Sequence, residues 1–502
     1  MTAPARIRRL VIVGGGTAGW MAAAALARVL GPRGPAITLI ESDAIGTVGV
    51  GEATIPPITL FNKLIGLDED AFIRATGATF KLGIEFVDWL RIGHRYLHSF
   101  GLYGADMNGI AFTHYMLRAM REGEPLDRDH FNAEALAARR GRFGRTPPGS
   151  PATLPKINYA FQFDAGLYAG HLRRHAETIG VKRVEGQVVS VEREPEREGI
   201  RSLSLDDGRR FEGDLFVDCS GFRGLLIEEA LGAGYVDWSE WLPANRAIAV
   251  PSERLPVLPP FTHATARDAG WQWRIPLQHR TGNGYVYCDA FASEEEATRT
   301  LLDQLDGPPT AEPRMLRFAA GYRRRQWVGN CVSLGLASGF LEPLESTSIH
   351  LVQAGIAKLL ALFPQGTPDP ALVERFNGEM AVLYEGIRDF LIAHYALTER
   401  EDTPFWRHCR AMRLPDSLLA RLDRFRARGE AGAGGMELFR DTNWFAILHG
   451  QGLEPGDYHP VADAMPAELL RDRLGQARAA IERRVAALPL HDDMLAAIVE
   501  GA

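Results

Sequence analysis

Four clusters in this chain combine residue types and spacings that could do chemistry. Lys81 lies within Thr79-Phe-Lys81-Leu-Gly-Ile-Glu-Phe86, a stretch that continues to Trp89 and is largely aromatic and apolar. Removing water from around an amine lowers its pKa and makes it a nucleophile. The plainer reading of such a lysine, taken alone, is a stem lying along apolar surface with its ammonium in water. In Trp271-Gln-Trp273-Arg-Ile275-Pro276 two indoles stand two residues apart. On a strand they share a face, where they could wall a dry passage or simply fill a core. In Gly339-Phe-Leu-Glu342-Pro-Leu-Glu345-Ser-Thr347-Ser348-Ile349-His350 a carboxylate precedes Ser and Thr at a helix start. Glu345 could act there as a base, and free backbone N–H groups would suit an anion. The bland alternative is a helix capped by Ser346 or Thr347. His98-Ser-Phe100-Gly101 offers a polar ring and an aromatic face within one strand-like step, which core packing would also explain.

These clusters need a scaffold, and the first forty residues supply one. Leu10-Val-Ile-Val13 is a β-branched run typical of a buried parallel strand. Gly14-Gly-Gly16-Thr17-Ala18-Gly19 follows, then an Ala-rich helical stretch from Met21 to Leu30. This is G-x-G-x-x-G in its required strand-to-helix context. Gly14 makes the tight turn, Gly16 lets the backbone approach a pyrophosphate, and Gly19 lets helix and strand pack closely. A second strand, Ala36 to Ile40, ends in Glu41, an acid suited to a ribose diol. Later buried strands, Asp214 to Gly221 and Asn330 to Ser338, favour FAD over NAD, and no second glycine motif with strand context is visible. The Arg-flanked apolar start also resembles a signal peptide, but four glycines would break the helix that a signal peptide needs.

Gln187 to Val191 and Ile200 to Leu205, followed by Asp206-Asp-Gly208, read as an antiparallel meander, with Glu192 to Glu198 as its solvated loop. Arg139 to Pro151 reads as an exposed loop or a domain crossing, and Ala431-Gly-Ala-Gly-Gly435 as a flexible break. From about Pro370 the chain is mostly helical. The 502 residues allow two to three domains, or one large body with insertions. Lys and Arg number 56 against 63 Asp and Glu, a net charge of −7 that argues against nucleic acid as a partner. Four scattered Cys argue against disulfides and for a reducing cytoplasm. No other segment is apolar for long enough to span a membrane. His171 and His175 have metal spacing, but no third ligand is evident; a wet helix face is preferred and no metal is expected.

Taken together, the glycine motif with Trp20, the segment Val48-Gly-Val-Gly-Glu-Ala-Thr54, Lys81, W-x-W-x-I-P and the Glu345 cluster resemble the flavin-dependent tryptophan halogenase family. They occur in the family's order over roughly residues 8 to 460. The resemblance implies an α/β fold with a doubly wound, glutathione-reductase-like FAD-binding domain over 8–95 and 155–365. A β-rich insertion would occupy about 230–320, and a largely helical substrate region 96–154 and 366–502. It implies FAD contacts at Gly14, Gly16, Thr17, Ala18, Gly19, Glu41, Ala53, Val188, Leu336 and Ile349.

The implied reaction uses FAD supplied as FADH2 by a separate NAD(P)H-dependent flavin reductase, with O2 and chloride or bromide. The amides of Thr347 and Ser348 would hold the halide; the family usually has Gly where Ser348 stands. Hypohalous acid would pass a wall built from Trp271, Trp273, Ile275 and Pro276 to reach Lys81, which hydrogen-bonds it or carries the halogen as a haloamine. Glu345 would stabilise the cationic ring intermediate and take its proton. His98, Phe100, Trp444 and Phe445 would surround a small aromatic substrate. Members acting on free tryptophan carry a Tyr-Tyr pair and a later Glu, best matched here by Asn443-Trp444-Phe445 and Gln451, so free tryptophan is expected to be a poor substrate and indole or a larger indole- or phenol-containing molecule a better one. The chain would be a cytoplasmic monomer or homodimer. The alternatives are a single-component flavin hydroxylase and a flavin-binding protein without turnover.

Overall fold

The computed structural model describes residues 6–44, 51–146, 156–196, 198–432 and 437–501. The start of the Val48–Thr54 motif, the end of the 139–151 stretch and most of the glycine break at 431–435 therefore lie outside the described residues. The chain divides into two compact units. One comprises Met1–Ala78, Phe163–Asn245 and Arg317–Glu385; the other comprises Thr79–Gln162, Arg246–Leu316 and Gly386–Ala502.

The first unit is built on a six-stranded sheet. Its order is Trp327–Val328, Cys331–Ser333, Leu215–Asp218, Arg9–Val13, Ala36–Glu41, Lys182–Glu185. All pairings are parallel except that of the edge strand Trp327–Val328. The central strands are apolar on both faces, with Leu10, Ile12, Leu39 and Phe216 fully buried, because helices must cover a parallel sheet on both sides. Thr17–Leu30 is one such helix; its four alanines 22–25 are fully buried, and it packs on Ala165–Thr178 and Ser348–Ala361. The register sets Val13 beside both Ile40 and Asp218, and Asp218 beside Ser333. The carboxyl ends of these strands are thus level, the edge at which such sheets bind ligands. The meander comprises Val188–Arg193, Ile200–Leu205 and Arg210–Glu212, with Ile200, Leu203 and Leu205 in its buried cluster.

The second unit has a seven-stranded sheet, in the order Arg314–Arg317, Arg246–Ser252, Thr281–Tyr287, Gly270–Pro276, Thr262–Arg267, Gly83–Val87, Arg95–Ser99. Its helices include Phe112–Arg121, Ala133–Arg139, Asp416–Arg428, Asp441–Gly450, Ala467–Ala486 and His491–Glu500. Thr262–Arg267 runs parallel to Gly83–Val87. That ladder joins Gly83–Val87 to the strands between Arg246 and Leu316 in one unit.

Two stretches that composition reads as loops each hold a buried residue. Residues 139–146 are not simply exposed: Phe143 is fully buried and stacks on Phe80 at 3.9 Å. Ala431 is also buried, its carbonyl taken by Arg421.

Candidate active site

In the first unit the glycine turn has the shape that the motif demands. Gly14 has φ +113°, and a Cβ there would sit 2.2 Å from the Cys219 carbonyl oxygen. A Cβ on Gly19 would lie 1.9 Å from the Gly14 carbonyl oxygen, so only glycine lets the helix approach the strand. Gly16, in contrast, faces open space among the described residues and stands at the helix N-cap without a side-chain cap. Thr17 and Ala18 begin the helix, leaving its first N–H groups to an anion. Glu41 ends its strand beside this turn, accepting from Trp20 Nε1 at 3.4 Å and paired with Arg183 and Arg173. This cradle fits the pyrophosphate and ribose of a dinucleotide.

Of the other expected flavin contacts, Ala53 and Ile349 are buried, Val188 is half-buried in the meander, and Leu336 lies on the turn Gly335–Ala337 after Cys331–Ser333. Burial alone pushes the Glu52 carboxyl, beside Ala53, up to about 7. The fully buried Asp218 accepts from the N–H groups of Ser220, Leu226 and Ile227, fixing the next turn along the same edge.

Glu345 ends the short turn Pro343–Glu345 and is fully buried. Ser346 follows at φ +57°, a conformation that costs a non-glycine residue roughly 1–3 kcal/mol. It redirects the chain into Thr347 and the helix Ser348–Ala361. Thr347, one of the two residues that the blander reading offered as a cap, makes none: no side-chain bond closes the helix start, and the buried Thr347 Oγ1 finds no partner among the described residues. An uncapped, buried helix N-terminus attracts an anion. Burial pushes the imidazole of His350, in the first turn, down to about 4, so it stays neutral there.

In the second unit Lys81 ends the strand Thr79–Lys81, which pairs with Ala160–Asp164 so that Lys81 opposes Ala160. It is fully buried, its Nζ 5.5 Å from the centre of the Phe100 ring. Thr79 Oγ1 donates to the Pro276 carbonyl at 2.7 Å, tying the lysine's strand to the end of the W-x-W-x-I-P strand. Leu82 N–H donates to Pro260 at 2.7 Å, and Phe100 N–H to Leu82 at 2.9 Å. Trp271 and Trp273 are buried with ring centres 6.2 Å apart, and Ile275 and Pro276 are buried beside them in the same strand. Neither indole N–H finds a partner among the described residues.

His98 is buried, and Asn443 Nδ2 donates to its Nε2 at 3.1 Å. Asn443 Oδ1 accepts from the Arg440 N–H, so its NH2 faces the imidazole and assigns the His98 proton to Nδ1. Phe390 stacks on Phe439 at 3.6 Å and touches both His98 and Trp444. Trp444 thus joins the His98 cluster. Phe445 instead packs with Tyr103, Phe425 and His449. Gln451 is buried with neither amide atom partnered among the described residues. Phe390, Phe439 and the role of Asn443 were not read from sequence; they lie hundreds of residues from His98, and nothing local marks them.

His175 Nε2 bonds the Ile65 carbonyl at 2.8 Å, and no metal-binding group of three or more His, Cys, Asp or Glu occurs among the described residues. No helix among the described residues is long and apolar enough to cross a membrane.

A doubly wound nucleotide-binding unit, joined in one chain to a buried lysine, a tryptophan pair and a carboxylate before an uncapped helix, defines a flavoprotein of a particular class. The tryptophan halogenase family model matches residues 9–467. Tryptophan 7-halogenase RebH of Lentzea aerocolonigenes is 39% identical, covering 92% of this chain and 92% of that protein. Among solved structures, the flavin-dependent halogenase Xcc4156 of Xanthomonas campestris is 48% identical with a TM-score of 0.94, covering 98% of both chains. BrvH, a flavin-dependent halogenase from Brevundimonas sp. BAL3, is 47% identical with a TM-score of 0.94, covering 98% of this chain and 99% of its own. The chain belongs to the tryptophan halogenase family and is a flavin-dependent halogenase.

Proposed function

We propose that this halogenase binds FAD at the Gly14–Gly19 turn and Glu41, holds chloride or bromide at the amides of Thr347 and Ser348, and halogenates an uncharged indole-type aromatic. The bound flavin, supplied reduced by a separate NAD(P)H-dependent reductase, would contribute the two-electron oxidation of a halide by O2 to hypohalous acid. The Trp271–Trp273 wall keeps the aromatic substrate away from the flavin, which suppresses hydroxylation. Lys81 presents the halogen, whether by hydrogen bond to hypohalous acid or as a haloamine. The ring carbon attacks the halogen, and its bond to oxygen or nitrogen breaks. The displaced hydroxide leaves as water, or the lysine recovers its amine. Glu345 takes the ring proton, restoring aromaticity, so hypohalous acid and arene become haloarene and water.

The observation that carries this reading is the fully buried Lys81 amine over the Phe100 ring. In a site free of water such an amine holds an oxidant without losing it to solvent. The substrate class rests on Trp444 and Gln451: an indole and a neutral amide offer no counter-charge to an ammonium group. Incubation with reductase, FAD, NADH, either halide and a panel of indoles, read by product mass, is expected to give monohalogenated indoles. Hydroxylated product from NADPH and FAD without a reductase would establish the hydroxylase instead; no observation favours it.

A further inference from the structure

The strand that carries Lys81 is held at three successive points around the lysine, and one of them is a side chain from the far end of the chain. Thr79 is tied to Pro276 and Leu82 to Pro260, in each case through a carbonyl acceptor that no substitution removes. Between them, the Phe80 N–H donates to Nε2 of His491, 411 residues away, at 3.2 Å. The other ring nitrogen, Nδ1, lies 2.7 Å from the Leu258 carbonyl oxygen. A carbonyl only accepts and an N–H only donates, so Nδ1 carries the proton and Nε2 offers its lone pair. Both nitrogens are committed in one tautomer, and protonation would set two N–H groups against each other at Phe80.

Its surroundings reinforce that choice. His491 is 1% exposed, and burial pushes its pKa down to about 4, so the ring is neutral under working conditions. Its own N–H bonds the Gly141 carbonyl, and the Phe143 N–H bonds Pro489. The next residue, Asp492, accepts from the Leu258 N–H and pairs with Arg254. Residues 489–492 are therefore threaded between 141–143 and 254–258, with the imidazole directed at the residue before Lys81. His491 lies beyond residues 9–467, the span matched by the family model.

We propose that His491 is a positioning residue for Lys81: by accepting the Phe80 N–H it fixes the backbone at the residue before the lysine, and so sets the yield of halogen transfer. This rests on Lys81 being the transfer residue. A displacement of about 1 Å at a reacting group can cost on the order of 10²-fold, so a single backbone anchor at this point is consequential.

Two substitutions separate the two ring nitrogens. His491→Asn keeps a donor for Leu258 and loses the acceptor for Phe80; His491→Gln keeps the acceptor and loses the donor. Full-length variants are assayed with reductase, FAD, bromide and indole, recording product formed per FADH2 oxidised together with melting temperature. The expected result is a drop of at least about tenfold for Asn and less than about threefold for Gln, with flavin oxidation unchanged in both. Equal yields in the two variants, or loss in step with melting temperature alone, overturn the proposal. Should Asn not fold, a tenfold loss in Gln overturns it and a near-normal yield supports it. Lys81→Ala run alongside keeps the two ideas apart: if it still makes product, the lysine reading fails and takes this inference with it. If Lys81→Ala is inactive while Asn and Gln match, only the role of His491 fails.

Discussion

The proposed function asks the two units to handle their chemistry by different means. The first works mainly with backbone: an open glycine, a helix end left uncapped, a carbonyl too close for any side chain. The second works with side chains, an amine over a phenyl ring, a paired indole wall and an imidazole oriented by an amide. Backbone recognition comes from consecutive residues and suits a cofactor whose phosphates and ribose do not vary. Side-chain recognition is assembled from distant strands and helices and can change with the substrate. Trp444, Phe445 and Gln451, on which the proposed substrate class rests, lie in that second unit.

That contrast can be broken most sharply at Lys81. Lys81→Ala should lower halogenated product by about 10³-fold, by chromatography, while FAD still binds with unchanged affinity. Glu345→Gln, the side-chain exception within the first unit, should cost about 10²-fold in turnover, with flavin reoxidation in a stopped-flow trace unaffected. If either variant lost FAD as well, the separation of roles would be wrong. On the other side, Gly14→Ala places a Cβ against the Cys219 carbonyl and should weaken FAD binding by roughly 1–3 kcal/mol, measured by fluorescence titration, without altering indole binding.

A stability test sharpens the comparison further. Burial works against the charge of Glu85, but His263 and Arg139 outweigh it and hold the carboxyl at about 2. A depressed carboxyl stabilises the fold above its ordinary value of about 4.5 and loses that contribution as pH falls toward 2. Glu85→Gln should therefore cost about 3 kcal/mol at neutral pH and flatten the acid loss, with the second unit opening first in hydrogen exchange. Glu52 and Glu134, raised to about 7 by burial, act in the opposite direction. Their contribution is complete below about 4.5 and is lost as pH rises to about 7, so melting temperature should decline between about pH 5 and pH 7.5 and level off above that. The smallest effect concerns selectivity: kcat/KM for indole should exceed that for tryptophan by about tenfold, the ammonium group lacking a counter-charge.

How much was legible in the sequence follows the same division. The parallel strands, the glycine turn and Glu41 could be read because strand, turn and helix are contiguous and each glycine answers a local steric demand. Lys81, the tryptophan pair and Glu345 stood out as odd residues in apolar company. The parallel pairing of Thr262–Arg267 with Gly83–Val87 was hidden, since nothing in either segment names its partner. Asn443 on His98, Phe390 between His98 and Trp444, and His491 on Phe80 were hidden for the same reason. At the helix start after Glu345 composition left two readings open, free N–H groups for an anion or a cap by Ser346 or Thr347, and the Thr347 hydroxyl makes no cap bond.

The bond between Phe80 and His491 also bears on how the protein is made. While residue 491 is still inside the ribosomal exit tunnel, the peptide beside Lys81 has no imidazole to hold it, although the glycine turn emerged long before. A growing chain therefore has every strand of the six-stranded sheet, the last of which ends at Ser333, before the anchor on Phe80 can form.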